Sequence, residues 1–199
     1  DAAALAAFRA ALPGAHWLAA STHAGEEAPV IAAHRALLGE FPELVTVIAP
    51  RHPERGGAVA ALAGAAPRRS AGEMPVPGLP FIADTLGELG LFYRAAPFAF
   101  IGNSLAGFGG HNLIEPARLG RAVLSGPHTE NFAQAAAALG AAQALVTVTD
   151  ADSLAAAVHA WLASPETAAE AGARAAAAFQ ATGDLPDRLA TLILDCALQ

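Results

Sequence analysis

The stretch His16-Trp17-Leu18-Ala19-Ala20-Ser21-Thr22-His23-Ala24-Gly25-Glu26-Glu27 decides how the chain is read. His16–Ala20 is an apolar run without strict polar alternation, the pattern of a strand covered on both faces. A small polar turn follows, and Glu26–Leu38 then has the length and spacing of a helix. Leu44–Ala49 is a second apolar run. Strand, turn, helix and strand make the unit of a parallel sheet, whose crossovers are right-handed.

The unit repeats outward from there. Phe81–Ala83, Phe98–Gly102, Ala122–Ser125 and Ala144–Val148 read as strands, and Pro53–Ala63, Thr85–Ala95, Asn112–Leu119 and Glu130–Leu139 as helices. Ala63–Pro80 is rich in Pro, Gly and Ala and reads as loop, with a short strand at Pro67–Ser70. After Val148 the pattern changes to consecutive helices over Asp150–Ala163, Pro165–Ala181 and Pro186–Leu198. Asp152 and Ser164 suit N-caps, Pro165 and Pro186 first turns, and Gly140 and Gly183 helix ends. The fold class expected is α/β: a Rossmann-like parallel sheet with helices on both faces, ending in consecutive helices. Residues 1–199 form a single domain in this reading, with no linker for a second.

Composition narrows the function. Alanine supplies 55 of the 199 residues, and all 11 basic residues are arginine. A net charge of −7 argues against a generic nucleic-acid surface. Apolar stretches are broken by Arg, Asp, Gly or Pro well before the length of a spanning helix. The single cysteine, Cys196, excludes a disulfide scaffold and fits a reducing compartment. The chain opens inside a helix-like stretch, Asp1–Leu12, without a methionine, as expected of a fragment.

In a doubly wound sheet, ligands bind beyond the carboxyl ends of the strands. Five strand ends carry polar, Gly-rich text: Ser21–Glu27, Pro50–Arg55, Asp84–Leu89, Asn103–Pro116 and Gly126–Asn131. Gly109 and Gly110 allow close backbone approach to a ligand, and a helix starting near Asn112 offers N–H groups to a phosphate or carboxylate. Glu115 could accept from two ribose hydroxyls; Asn112 and Glu115 equally suit a helix cap and its capping-box partner. Arg51 could fork onto a phosphate or lie solvated at a helix start. His23 and Glu26 read as structural. No His-x-x-x-His pair is present, so a zinc site is not expected. The absence of Gly-x-Gly-x-x-Gly after the first strand, of any lysine and of Gly-x-Ser-x-Gly disfavours dinucleotide, Walker-type and hydrolase readings.

Together and in order, five blocks resemble the C-terminal half of the 3-deoxy-D-manno-octulosonic acid (Kdo) transferases of lipid A biosynthesis. They are Ser21-Thr22-His23-x-Gly25-Glu26-Glu27, Pro50–Arg55, Asp84–Leu89, Gly109-Gly110-His111-Asn112-x-x-Glu115 and Gly126-Pro127-His128-x-x-Asn131-Phe132, spread over roughly residues 16–140. The resemblance implies a GT-B glycosyltransferase in lipopolysaccharide biosynthesis. This chain would be its donor domain for CMP-Kdo, inactive in transfer on its own. The acceptor domain, absent from this chain, would take a lipid A precursor and hold the general base, so no catalytic residue is assigned here.

The family's CMP positions fall on Pro50, Arg51, Leu86, Gly87, Glu88, Asn112, Leu113, Ile114 and Glu115. Ser21, Ser104, Gly109, Gly110 and His111 are possible donor contacts. CMP-Kdo is a substrate in this scheme, and no cofactor, metal or nucleic acid is expected. The full-length protein would sit at the cytoplasmic face of the bacterial inner membrane, with this fragment soluble. The chain departs from the family text in having Asn103 in place of a second glycine, Leu113 in place of proline and Leu86 in place of methionine. Two other readings use the same scaffold: a nucleotide-sugar 2-epimerase-like enzyme, or a non-catalytic nucleotide-sugar binding module.

Overall fold

The structure is a computed structural model and describes residues 2–12 and 14–180. The predicted helix Pro186–Leu198, Gly183 and Cys196 lie outside the described residues. Strands β1 (His16–Thr22), β2 (Val45–Pro50), β3 (Phe81–Ile82), β4 (Phe98–Ile101), β5 (Ala122–Ser125) and β6 (Leu145–Thr147) alternate with helices. The helices are α1 (Ala2–Ala10), α2 (Glu27–Leu37), α3 (Gly56–Leu62), α4 (Leu89–Ala95), α5 (Ile114–Arg118), α6 (Ala133–Ala141), α7 (Ala151–Ala163) and α8 (Pro165–Gln180). The strands form one six-stranded sheet in the order β3-β2-β1-β4-β5-β6, parallel throughout. This is the doubly wound order, and the chain turns back across the sheet between β1 and β4.

Each central strand feeds two cores by simple alternation. Trp17, Ala19, Phe98, Phe100, Ala122 and Leu124 face one side, packed with residues of α2, α3 and α7. Leu18, Ala20, Ala99, Ile101 and Val123 face the other, packed with α1, α4, α5 and α6. Because both faces are apolar, the period of two is hidden in the sequence. The small volume of alanine lets α8 sit between layers, placing Ala168 and Ala171 in one core and Ala175 in the other.

Element ends differ from the sequence reading where side chains intervene. The helix expected from Thr85 begins only at Leu89, because Thr85 donates to Glu88 at 2.5 Å and Gly87 takes φ of 80°. The helix expected over Asn112–Leu119 shortens to Ile114–Arg118. The Pro67–Ser70 strand reduces to a single bridge between Arg68 and Ile82. The N-cap of α7 is Asp150 rather than Asp152: its carboxylate accepts from Ser153 N, and Ser153 Oγ accepts from Asp150 N. Gly140 lies inside α6, and the left-handed residue just past that helix is Gln143. Among the described residues no helix is long and apolar enough to cross a membrane.

Candidate functional site

The β1–α2 and β4–α5 connections leave the sheet side by side at the switch point. Ser21 takes φ of 55° within a register shift between Ala20 and Thr22, which turns the end of β1 out of the ladder. Gly102 passes so close that a Cβ there would lie 2.6 Å from Ser21 O. Glu26, fully buried, ties the two connections together. Its Oε2 accepts from His23 N at 2.9 Å and Asn103 N at 2.6 Å, and its Oε1 accepts from Ser104 N and Leu105 N, both at 2.9 Å. Asn103 holds φ of 63°, the region where glycine is at ease and asparagine is among the best tolerated alternatives. This accounts for asparagine at a position where the family resemblance calls for glycine.

Beside this clamp lies a cleft of about 190 Å³ lined by Ser21, Pro50, Arg51, Leu86 and Gly87, with Ala83, Leu89 and Phe92 among its apolar walls. Arg51 N donates to Thr22 O at 3.0 Å, so the backbone is pinned to β1. Its side chain is exposed. Three neighbouring arginines are neutralised: Arg55 by Glu27, Arg68 by Asp84 and Arg69 by Glu88. Arg51 has no such partner among the described residues, and its charge is free for a ligand. Leu86 is 81% exposed at the rim.

Glu88 is not free in the same way. Arg69 forks onto it at 2.7 and 3.0 Å. The Arg69 hydrogen bonds hold its carboxyl below the usual range against partial burial, and Thr85 assists. Burial opposes ionisation of Asp84, but bonds from Ser70 and Arg68 outweigh it and also lower its carboxyl. Arg68 and Arg69 lie in Pro67–Ser70, which reads in the sequence as a short strand within a loop and not as part of a site. Two adjacent arginines upstream of Asp84 and Glu88 were the available signal.

The strand-end histidines converge. His23 Nε2 and His111 Nε2 are 2.9 Å apart, the His52 ring meets His23 edge-on at 5.5 Å, and Phe108, 63% exposed, leans on His23. Burial pushes His23 below the ordinary imidazole value; His52 and Arg51 add to this, while Glu26 and Glu27 oppose it. Burial does the same for His111, with His23, Arg51 and His52 adding and Glu26 opposing. In the sequence His23 reads as structural and His111 as a possible donor contact; no local signal pairs them, because they are 88 positions apart.

Other expected contacts are placed differently. Ser104 is buried; its hydroxyl donates to Ile101 O and accepts from Gly126 N, so its role here is structural. Leu113 is 1% exposed, so its side chain belongs to the core. Its φ of −82° stays near the range a proline would impose. Gly109 and Gly110 both have positive φ, held by Asn131, whose amide donates to Phe108 O and Gly110 O.

Asn112, Ile114 and Glu115 line a second, shallower cleft with Arg94 and Arg118. The sequence offers both Arg51 and the helix start at Asn112 as groups for a phosphate, which one phosphate could share only if the two faced the same cleft. The two instead line different clefts, α5 has only 5 residues, and Ile114 N is already bonded to Asn112 Oδ1 at 2.9 Å. Asn112 is thus a local cap, whereas the Glu115 carboxylate makes no hydrogen bond among the described residues and is open to a ligand. No group of three or more potential metal ligands occurs among the described residues.

The chain matches no protein-family model. Over 157 residues it is 41% identical to the 3-deoxy-D-manno-octulosonic acid transferase of Haemophilus influenzae, a match covering 76% of this chain and 37% of that protein. Over 141 residues it is 43% identical to the protein of the same name from Bordetella pertussis, covering 66% of this chain and 33% of that protein. The chain thus spans about a third of the length of these curated relatives. Among solved structures, the C-terminal CMP-Kdo binding domain of WaaA from Acinetobacter baumannii superposes with a TM-score of 0.82 at 31% identity, covering 90% of this chain and 96% of that one. Sucrose-phosphate synthase from Thermosynechococcus elongatus, at 16% identity and a TM-score of 0.61, shares the fold alone. With a solved domain matched over nearly its whole length at this identity, the chain belongs to the 3-deoxy-D-manno-octulosonic acid transferase family and corresponds to its C-terminal domain.

Proposed function

We propose that this chain is the donor-binding domain of a Kdo transferase and binds CMP-Kdo at the switch point between β1 and β4. The observation that carries the reading is the unpaired Arg51 in a cleft bounded by Pro50, Leu86 and Gly87, four of the positions that the resemblance gives to CMP. Glu115 stands unbonded near Gly90, a Cβ at which would lie 3.8 Å from Glu115 Oε1. The nucleotide would therefore run from Arg51 past Gly87 toward Glu115.

In transfer, an acceptor hydroxyl attacks the anomeric carbon of Kdo and the bond to the CMP phosphate oxygen breaks. The electron pair leaves with CMP, and the hydroxyl proton goes to a base outside this chain. Arg51 would stabilise the charge that builds on the departing phosphate. The acceptor in this proposal is a lipid A precursor, brought by the rest of the protein at the cytoplasmic face of the inner membrane. The scheme calls for no bound metal, and CMP affinity is expected to survive EDTA. A 2-epimerase would need a free carboxylate beside the His23 and His111 rings, and Glu26, which accepts from His23 N, is committed to four backbone amides.

Calorimetry with CMP and UDP tests the reading. CMP is expected to bind the chain and UDP to bind about tenfold or more weakly, from the loss of cytosine-specific hydrogen bonds. Equal affinity, or no CMP binding, overturns it. The chain alone is expected to give no turnover of CMP-Kdo with a lipid A precursor, and robust transfer would sink the two-domain scheme.

A further inference from the structure

We propose that Arg9, Arg94, Arg118 and Arg121 form a docking surface for the phosphates of an anionic lipid bilayer, separate from the Arg51 cleft, which none of the four lines.

The four come from different elements, and the fold gathers them. Arg9, Arg94 and Arg118 stand in the last turns of α1, α4 and α5, and Arg121 directly precedes β5. Arg9 donates to Arg94 O at 2.6 Å. Arg121 donates to Ala96 O at 3.0 Å, two residues past Arg94, and to Leu119 O at 3.1 Å. Arg94 and Arg118 line one cleft. Arg9, Arg94 and Arg118 are exposed, and Arg121 is half-buried.

Basic side chains in last turns serve helix carbonyls, and Arg9, Arg94 and Arg121 each bond one here. That role explains the hydrogen bonds but not the gathering of charge. None of the four forms an ion pair among the described residues. Glu115 shares the cleft of Arg94 and Arg118 without pairing with either. Glu88 lines a neighbouring cleft with Arg94 but is held by Arg69. Burial and the like charges of Arg9 and Arg94 together weaken the hold of Arg121 on its proton. Like charges gathered without a counter-charge repel, and an external anion relieves the repulsion.

One phosphate takes one or two guanidinium forks. Four guanidiniums on three helix ends and a turn call for an array of phosphates, which a bilayer surface presents. The choice of a bilayer rests on the lipid acceptor of the reading above. The net charge of −7 does not cancel the attraction, because charges more than about 8 Å from the lipid are largely screened at physiological ionic strength.

Sedimentation of the full chain with vesicles tests the surface. It is read without CMP, so the donor-binding reading stands or falls separately by CMP calorimetry. The chain is expected to bind vesicles of phosphatidylcholine mixed with phosphatidylglycerol, to leave them as salt rises, and not to bind phosphatidylcholine alone. Each arginine lost should weaken binding about fivefold, and the triple variant Arg9→Gln, Arg94→Gln, Arg118→Gln about a hundredfold. Arg35→Gln removes an exposed arginine of α2, which packs on the opposite face of the sheet, and should change nothing. If the triple variant does not fold, Arg118→Gln decides, because the Arg118 side chain makes no hydrogen bond among the described residues. The proposal is overturned by absent or equal binding to the two kinds of vesicle, by patch variants that bind like the unchanged chain, or by an equal loss in Arg35→Gln. Binding of poly-glutamate or duplex DNA in place of vesicles would give the surface to another polyanion and overturn it too.

Discussion

The Glu26 carboxylate lies 2.6 Å from the backbone nitrogen of Asn103, 77 positions away in the chain. That contact and three other amide bonds join the exits of β1 and β4, so one buried carboxylate ties together the two loops that frame the candidate site. Glu26→Gln replaces one acceptor oxygen by an amide that faces N–H donors. Two buried donors lose their acceptor, and a cost of about 2–4 kcal/mol is expected. The urea midpoint should fall with an unchanged slope. An unmoved midpoint would show that the clamp contributes nothing to stability.

Gly172 brings α8 against the turn before β5. A Cβ there would lie 2.2 Å from Gly120 O, a backbone atom that cannot swing aside. Alanine would gain about 1 kcal/mol in helix propensity, but overpacking costs about 1–3 kcal/mol. Gly172→Ala is expected to lower the melting temperature, and a raised value would refute the close approach.

Arg51→Ala should separate phosphate from base. The unpaired guanidinium is expected to contribute about 1.5–3 kcal/mol to CMP affinity, as a charged hydrogen bond does. Cytidine, without a phosphate, should bind the variant and the unchanged chain alike. The salt dependence of CMP binding should also weaken. Equal loss for CMP and cytidine would assign Arg51 to the base pocket or the fold.

Glu115→Gln distinguishes ligand contact from helix cap. Asn112, not Glu115, caps Ile114 N, so the variant should melt with the unchanged chain. If the carboxylate takes the ribose hydroxyls, CMP affinity should drop by about 1–3 kcal/mol. Unchanged affinity with a lower melting temperature would reverse the assignment.

Stability should fall in two stages on acidification. Burial pushes His34 below the ordinary imidazole value, as it does His23 and His111. The folded chain therefore binds fewer protons than the unfolded chain around pH 6.5, and stability drops as pH falls through that range. Asp84 and Glu88 are held below the usual carboxylate range. Their contribution is present above about pH 4 and is lost as pH falls through their folded values. Urea midpoints against pH should show both stages, and Asp84→Asn should flatten the second alone. A rise in stability from about pH 7 to about pH 5 would contradict the histidine assignment.

Much of the fold was legible because its signals are local. Trp17 to Ala20 and Phe98 to Ile101 are apolar runs that only a sheet covered on both faces can use. The polar text after each run marked the sheet edge where the Arg51 cleft opens. Boundaries were less legible where a side chain captured the backbone, as at Thr85–Glu88 and at Asp150 with Ser153. Such captures depend on one hydrogen bond rather than on a periodic pattern.

The sequence by itself determined the alternation of strand and helix, the strand ends that carry the candidate site, and the resemblance that points to Arg51 and Glu115. Tertiary structure alone decided which charges remain available. Arg51, Arg55, Arg68 and Arg69 are equivalent as text, yet three are paired with Glu27, Asp84 and Glu88 and one is free. It also made a buried clamp of Glu26 and a 2.9 Å pair of His23 and His111. The physical reason is range: propensity and periodicity act within a few residues, whereas an ion pair or hydrogen bond forms between any groups that the sheet order brings within about 3 Å.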